Sequence, residues 1–260
     1  MLGRSLKMAF WIFHDHIGKL LLANVIWATA VFLPIGIAAP SIFAGDVELV
    51  LLIGVPALYA GIFLFAPVLG AGMAHLVKVL IDKRDASLAD FFEGIRLYGL
   101  RAAAIGFWYA LAATALSTSA WFYAVQLRST LPLLGYAISA LAIWCLAVLG
   151  LTALFVLPAL VQKKAGVFAT LRLTLMLILA NPGLALGIGL QTVMLTLTTA
   201  LLLPLVFAGY GAALVCIGSA AYELLARKYA PSDPAPPPLD DANDDYLNRG
   251  FRDLFFPWKS

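Results

Sequence analysis

Five stretches of this chain contain no Asp, Glu, Lys or Arg at all: residues 20–45, 49–77, 102–127, 129–162 and 173–222. A helix needs roughly 20 mostly apolar residues to cross the hydrocarbon of a bilayer, and inside it every backbone polar group must be paired within the chain. The first four stretches each hold one crossing. The fifth is long enough for two, with Asn181-Pro182-Gly183 as its opening break and Pro204 near its midpoint. The chain therefore reads as all-α, a polytopic transmembrane helix bundle of about six spans at residues 20–42, 50–77, 102–125, 133–161, 184–204 and 206–226. Composition agrees: 63% of residues are hydrophobic and 12% charged, against about 25% charged in soluble domains.

The basic residues orient such a bundle, because Lys and Arg in short loops stay on the cytoplasmic side. With the N-terminus inside, six spans leave only Arg128 of the 17 basic residues outside, together with Asp46 and Glu48. Five spans would send Arg227, Lys228, Arg249, Arg252 and Lys259 outward, so an even number and a cytoplasmic C-terminus are expected. The first apolar run exceeds the roughly 7–15 residues of a signal-peptide core, so an uncleaved first span is expected. Cys145 and Cys216 both lie mid-span, which argues against a disulfide framework.

Two cytoplasmic connections carry structure of their own. Ser87-Leu88-Ala89-Asp90 is a helix-start signal, and the residues behind it alternate apolar and charged side chains. This predicts a short interfacial helix near residues 87–100, apolar side down. A second surface segment is expected near residues 163–180. After Tyr229 the composition changes to a Pro-rich spacer, which separates a transmembrane domain, residues 1–229, from a tail, residues 230–260. In that tail Leu247, Phe251, Leu254, Phe255 and Trp258 recur at near-helical spacing, with Arg252 among them. Disordered segments are poor in aromatics, so these six residues are candidates for docking, either on the inner leaflet or on a protein partner.

Little in the spans suggests chemistry. No carboxylate, Lys or Arg falls inside the five charge-free stretches, which argues against a proton relay or a voltage sensor. His14-Asp15-His16 has i, i+2 spacing that splits its side chains between helix faces, and neither Cys nor a metal-binding spacing joins it, so no metal is expected. There is no phosphate-binding glycine loop and no nucleophile elbow, so no catalytic residue or cofactor is assigned. The polar candidates left are Asn24 and Gln191, whose burial should turn them toward the bundle, for an interhelical hydrogen bond or for a solute. The second span, with Pro56 and Pro67 among several glycines, should be kinked.

Residues 13–27, Phe13-His14-Asp15-His16-Ile17-Gly18-Lys19-Leu20-Leu21-Leu22-Ala23-Asn24-Val25-Ile26-Trp27, followed by Pro34, resemble the opening of the YesL-like family of bacterial integral membrane proteins. Asp90-Phe91-Phe92 and Leu157-Pro158-Ala159-Leu160 are similar as well, so the likeness covers most of residues 10–228 and leaves out the Pro-rich tail. The resemblance implies a bacterial inner-membrane protein, helical, without an assigned activity and often encoded beside sugar-uptake genes. It supplies no site residue. Together these features lead to the expectation of a non-enzymatic accessory or assembly component of a membrane complex or solute-uptake system. Its partners would be membrane lipids and a cytoplasmic-side protein, not nucleic acid. The alternative is a small-solute permease with a midplane site.

Overall fold

The structure, a computed structural model, describes residues 1–127, 131–229, 244–250 and 253. Every regular element among them is helical: α1 Leu2–Asp15, α2 Ile17–Ala44, α3 Val47–Lys83, α4 Leu88–Val125, α5 Pro132–Lys163, α6 Val167–Ala180, α7 Pro182–Leu201, α8 Val206–Lys228 and α9 Asp245–Asn248. Six of these, α2, α3, α4, α5, α7 and α8, are long and apolar enough to cross a membrane, so the chain is a multi-span helical membrane protein. Helix α8 is its centre: 67% of its most apolar stretch is buried, against 11% for α3.

Proline and glycine set how these helices bend and meet. Helix α3 contains two wide turns, Val50–Gly54 and Ala60–Phe65, just before Pro56 and Pro67. Each proline lacks the N–H that the carbonyl four residues earlier would accept. Phe63, four before Pro67, has its carbonyl covered by Gly106 of α4, where a Cβ would lie 1.8 Å from the oxygen. The same arrangement recurs at Pro158 of α5: the Leu154 carbonyl is covered by Gly218 of α8, where a Cβ would lie 2.3 Å away. Only glycine lets two backbones meet this closely.

The two surface segments are built differently. Residues 87–100 are not a separate interfacial helix but the first turns of α4, which runs unbroken from Leu88 to Val125. Ser87 starts it, its N–H and hydroxyl both donating to Asp90 at 2.6 and 3.1 Å. Nothing between Arg96 and Ala104 breaks a helix, and Phe91, Gly94, Tyr98, Ala102 and Ile105 form one buried stripe on it. Gly94 of that stripe meets Gly72 and His75 of α3, so these turns pack on protein. Residues 167–180 do form a separate helix, α6, ended by Asn181 before Pro182. Helix α1 went unassigned in the sequence; it lies along α8, burying Met8, Trp11 and Ile12 with Ala212, Cys216 and Leu224.

Candidate functional site

Asn24 lies one helix face from the weakest part of α8. There the chain leaves α7 through Leu202–Leu205, and Gly209 adopts φ +127, a conformation that favours glycine. Asn24 is completely buried, and its amide donates to the carbonyls of Val206 and Phe207 at 2.8 and 3.0 Å. Its Oδ1 accepts the Ala212 N–H at 3.1 Å. One side chain thus spans the irregular turn and supplies what a regular helix would have supplied there, so none of the hydrogen-bonding groups of its NH2 is directed at a cavity.

Gln191 behaves differently. The buried residues of α7 are Leu184, Ala185, Ile188 and Thr199, and Gln191, seven after Leu184 and three after Ile188, lies at the edge of their face. It is exposed, with no hydrogen bond among the described residues. The expectation that the cost of burial would turn both amides inward fails for Gln191, which the neighbouring helices leave uncovered. The two residues do not form a shared midplane site.

A cleft reached by Trp27, three residues beyond Asn24 on α2, is apolar. It is an open cleft of about 300 Å³ between α2, α3, α4, α5 and α8, with Trp27, Phe63, Pro67, Tyr109, Pro158 and Leu214 in its wall. Its polar groups are tied to protein: Trp27 Nε1 donates to the Ala66 carbonyl at 3.1 Å, and the Tyr109 hydroxyl lies 2.6 Å from that of Thr152. With no charged group in its wall, this cleft offers an apolar surface and no acid or base.

The polar constellation lies at the other extreme, on the basic end of the bundle. Asp244 starts α9, accepting the Tyr246 and Leu247 N–H groups at 3.0 and 3.4 Å and the Arg227 guanidinium at 2.6 Å. Burial raises the Asp244 carboxyl, but these bonds outweigh it and hold the group below the usual carboxylate range. Arg84, at the left-handed end of α3, places its guanidinium 3.7 Å over the Tyr246 ring, whose hydroxyl donates to the Leu80 carbonyl at 3.4 Å. Arg249 pairs with Asp15 and sits over the Trp11 ring. Tyr246 and Leu247 are each 2% exposed and belong to the main core.

No known family model, curated protein or solved structure matches this chain. Of the six tail candidates, Leu247 docks on the chain's own bundle, a third possibility beside leaflet and partner. Phe251, Arg252, Leu254, Phe255 and Trp258 lie outside the described residues. The sequence pointed to Leu247 but not to Tyr246, Arg84 or Asp15, which are far apart in the chain. A conspicuous Tyr-Leu pair just after an acidic run was the one available signal. Among the described residues no group of His, Cys, Asp and Glu is arranged to hold a metal.

Proposed function

We infer that this protein is a non-enzymatic accessory or assembly component of a bacterial inner-membrane complex, with its basic end on the cytoplasmic side and used as the contact surface. The observation that carries this reading is the docked tail. A segment beyond a Pro-rich spacer returns to the bundle and completes its core through Tyr246 and Leu247, with Asp244, Arg227, Arg84 and Arg249 fixing it by charge. Burial of two such side chains contributes roughly 1.5–3 kcal/mol each, enough to keep this surface in one defined shape.

The permease alternative needs a polar path at the midplane. Asn24 is spent on the turn of α8, Gln191 is exposed, and the cleft lined by α2, α3, α4, α5 and α8 is apolar. The accessory reading also agrees with the resemblance to the YesL-like proteins. Purification from the native host in mild detergent tests it. The full chain should retain a protein partner that is lost when residues 240–260 are deleted; unchanged partners would remove the tail surface from the account.

A further inference from the structure

Helices α7 and α8 are each long enough to cross a membrane, but the turn between them does not reach the level at which the other spans end. Asn24 fixes its depth. The Asn24 amide bonds the carbonyls of Val206 and Phe207 at 2.8 and 3.0 Å, and the Val206 N–H donates to the Leu203 carbonyl at 3.0 Å, closing a tight turn. Such a turn is under about 7 Å across; with one hydrogen bond and the reach of an Asn side chain added, Leu203 lies within roughly 16 Å of Asn24. Ala44, the last residue of α2, is 20 residues beyond Asn24, about 30 Å at 1.5 Å per residue. The turn therefore stops about 14 Å or more short of the outer end of α2. Helix α5 gives the same answer. It runs toward the basic end alongside α8, and Gly218 of α8 meets its Leu154 carbonyl. From that contact α5 extends 22 residues back to Pro132 and α8 only 12 back to Val206, a shortfall of about 15 Å.

We propose that α7 and α8 form a re-entrant hairpin that enters from the basic end and turns back inside the membrane without reaching the opposite face. Both arms are rooted in the charged layer, which shortens their reach. Asn181, just before α7, accepts from Lys228 Nζ at 3.3 Å and from the Tyr229 hydroxyl at 3.1 Å, and Arg227 shares Asp244 with Arg84, just past the end of α3. The composition of the turn agrees: residues 200–209 have no polar side chain, whereas the connections after α2 and α4 carry Asp46, Glu48 and Arg128. Irregular backbone at membrane depth is tolerated where protein satisfies its polar groups. Here the Leu205 N–H donates to the Leu202 carbonyl at 2.8 Å, and Asn24 accepts the Ala212 N–H at 3.1 Å besides bonding two carbonyls. The hairpin stands independently of the accessory role, because it concerns the spans and not the docked tail.

Fluorescence quenching of the full chain in phospholipid vesicles measures the depth of the turn. In a Cys145→Ala background, needed because Cys145 is exposed whereas Cys216 is buried, Leu203→Cys carries a thiol-reactive fluorophore. The quencher is a lipid bearing a nitroxide either near its headgroup or near the end of its acyl chain. Leu133→Cys, at the outer start of α5, and Leu141→Cys, about 12 Å further along it, are exposed reference positions. Position 203 should behave like position 141, with stronger quenching by the deep label, and position 133 should show the reverse order. Leu202→Cys, also exposed, repeats the reading at a second residue of the turn and guards against a folding defect in one variant. Stronger quenching of positions 202 and 203 by the shallow label, in the order shown by position 133, would overturn the proposal.

Discussion

Replacing Asn24 by leucine tests whether this residue is structural. The change keeps the number and branching of the side-chain heavy atoms and alters no charge, so its main effect is loss of the three hydrogen bonds to α8 at 2.8, 3.0 and 3.1 Å. Interhelical bonds within membrane proteins contribute about 0.6 kcal/mol on average and about 1.7 at most, which predicts a loss of about 2–5 kcal/mol for the three. The loss should concentrate in α8, whose turn at Gly209 depends on them. Gln191→Leu removes an amide that makes no bond within the chain, and its effect on monomer stability should stay within about 0.5 kcal/mol. Unfolding by SDS titration in mixed micelles, followed by circular dichroism, measures both. If the two substitutions differ by less than about 0.5 kcal/mol, Asn24 does not hold α8 and the structural assignment is wrong.

Other expectations follow from the same geometry. Gly106→Ala and Gly218→Ala should each destabilise by about 1–3 kcal/mol, because the new methyl would sit 1.8 or 2.3 Å from a carbonyl oxygen. Gly150→Ala, with open space around it, should be neutral or slightly stabilising, and thermal denaturation in one detergent compares all three. Hydrogen exchange over residues 244–250 should rise sharply on Tyr246→Ala. Because the folded Asp244 carboxyl titrates below its ordinary value, its contribution is present above about pH 4, the unfolded pKa, and is lost as pH falls through the lower folded value. The tail should therefore stay protected from pH 7 to about pH 5 and open only in stronger acid; opening near pH 6 would contradict the pairing with Arg227. Residues 200–209 carry no polar side chain, so in the Cys145→Ala background Leu203→Cys should resist a membrane-impermeant maleimide applied to the side opposite the basic end, whereas Glu48→Cys should react.

The spans were legible because a bilayer makes one demand, unbroken apolar length, that a sequence displays directly. A disturbance of the helix at Pro56 and Pro67 was legible for a similar reason, and it takes the form of the wide turns Val50–Gly54 and Ala60–Phe65: a missing N–H is a property of one residue. Their partners were not, since Gly106 and Gly218 become significant only when another helix brings a carbonyl against them. Helix α1 was hidden by Arg4 and Lys7, which interrupt its hydropathy although they lie off its buried face. The start of α4 was placed correctly by Ser87 and Asp90, but its charged residues suggested an end at Arg101 that the helix does not have. The exposure of Gln191 was unreadable because it lies at the edge of the face that Leu184 and Ile188 bury, and whether a neighbouring helix reaches that edge is set by the packing of other elements. The docked tail combined both cases: Leu247 stood out as an apolar residue in a polar segment, while the site receiving it is assembled from α1, α3 and α8.

The claim that protein contacts are made at the basic end, while the spans meet lipid, is tested most directly by site-specific photocrosslinking in the native host. A photoreactive residue at Phe92, exposed on the first turn of α4, should give discrete protein adducts, and one at Leu141, exposed mid-span on α5, should give lipid adducts. Protein adducts at Leu141 with none at Phe92 would contradict the account.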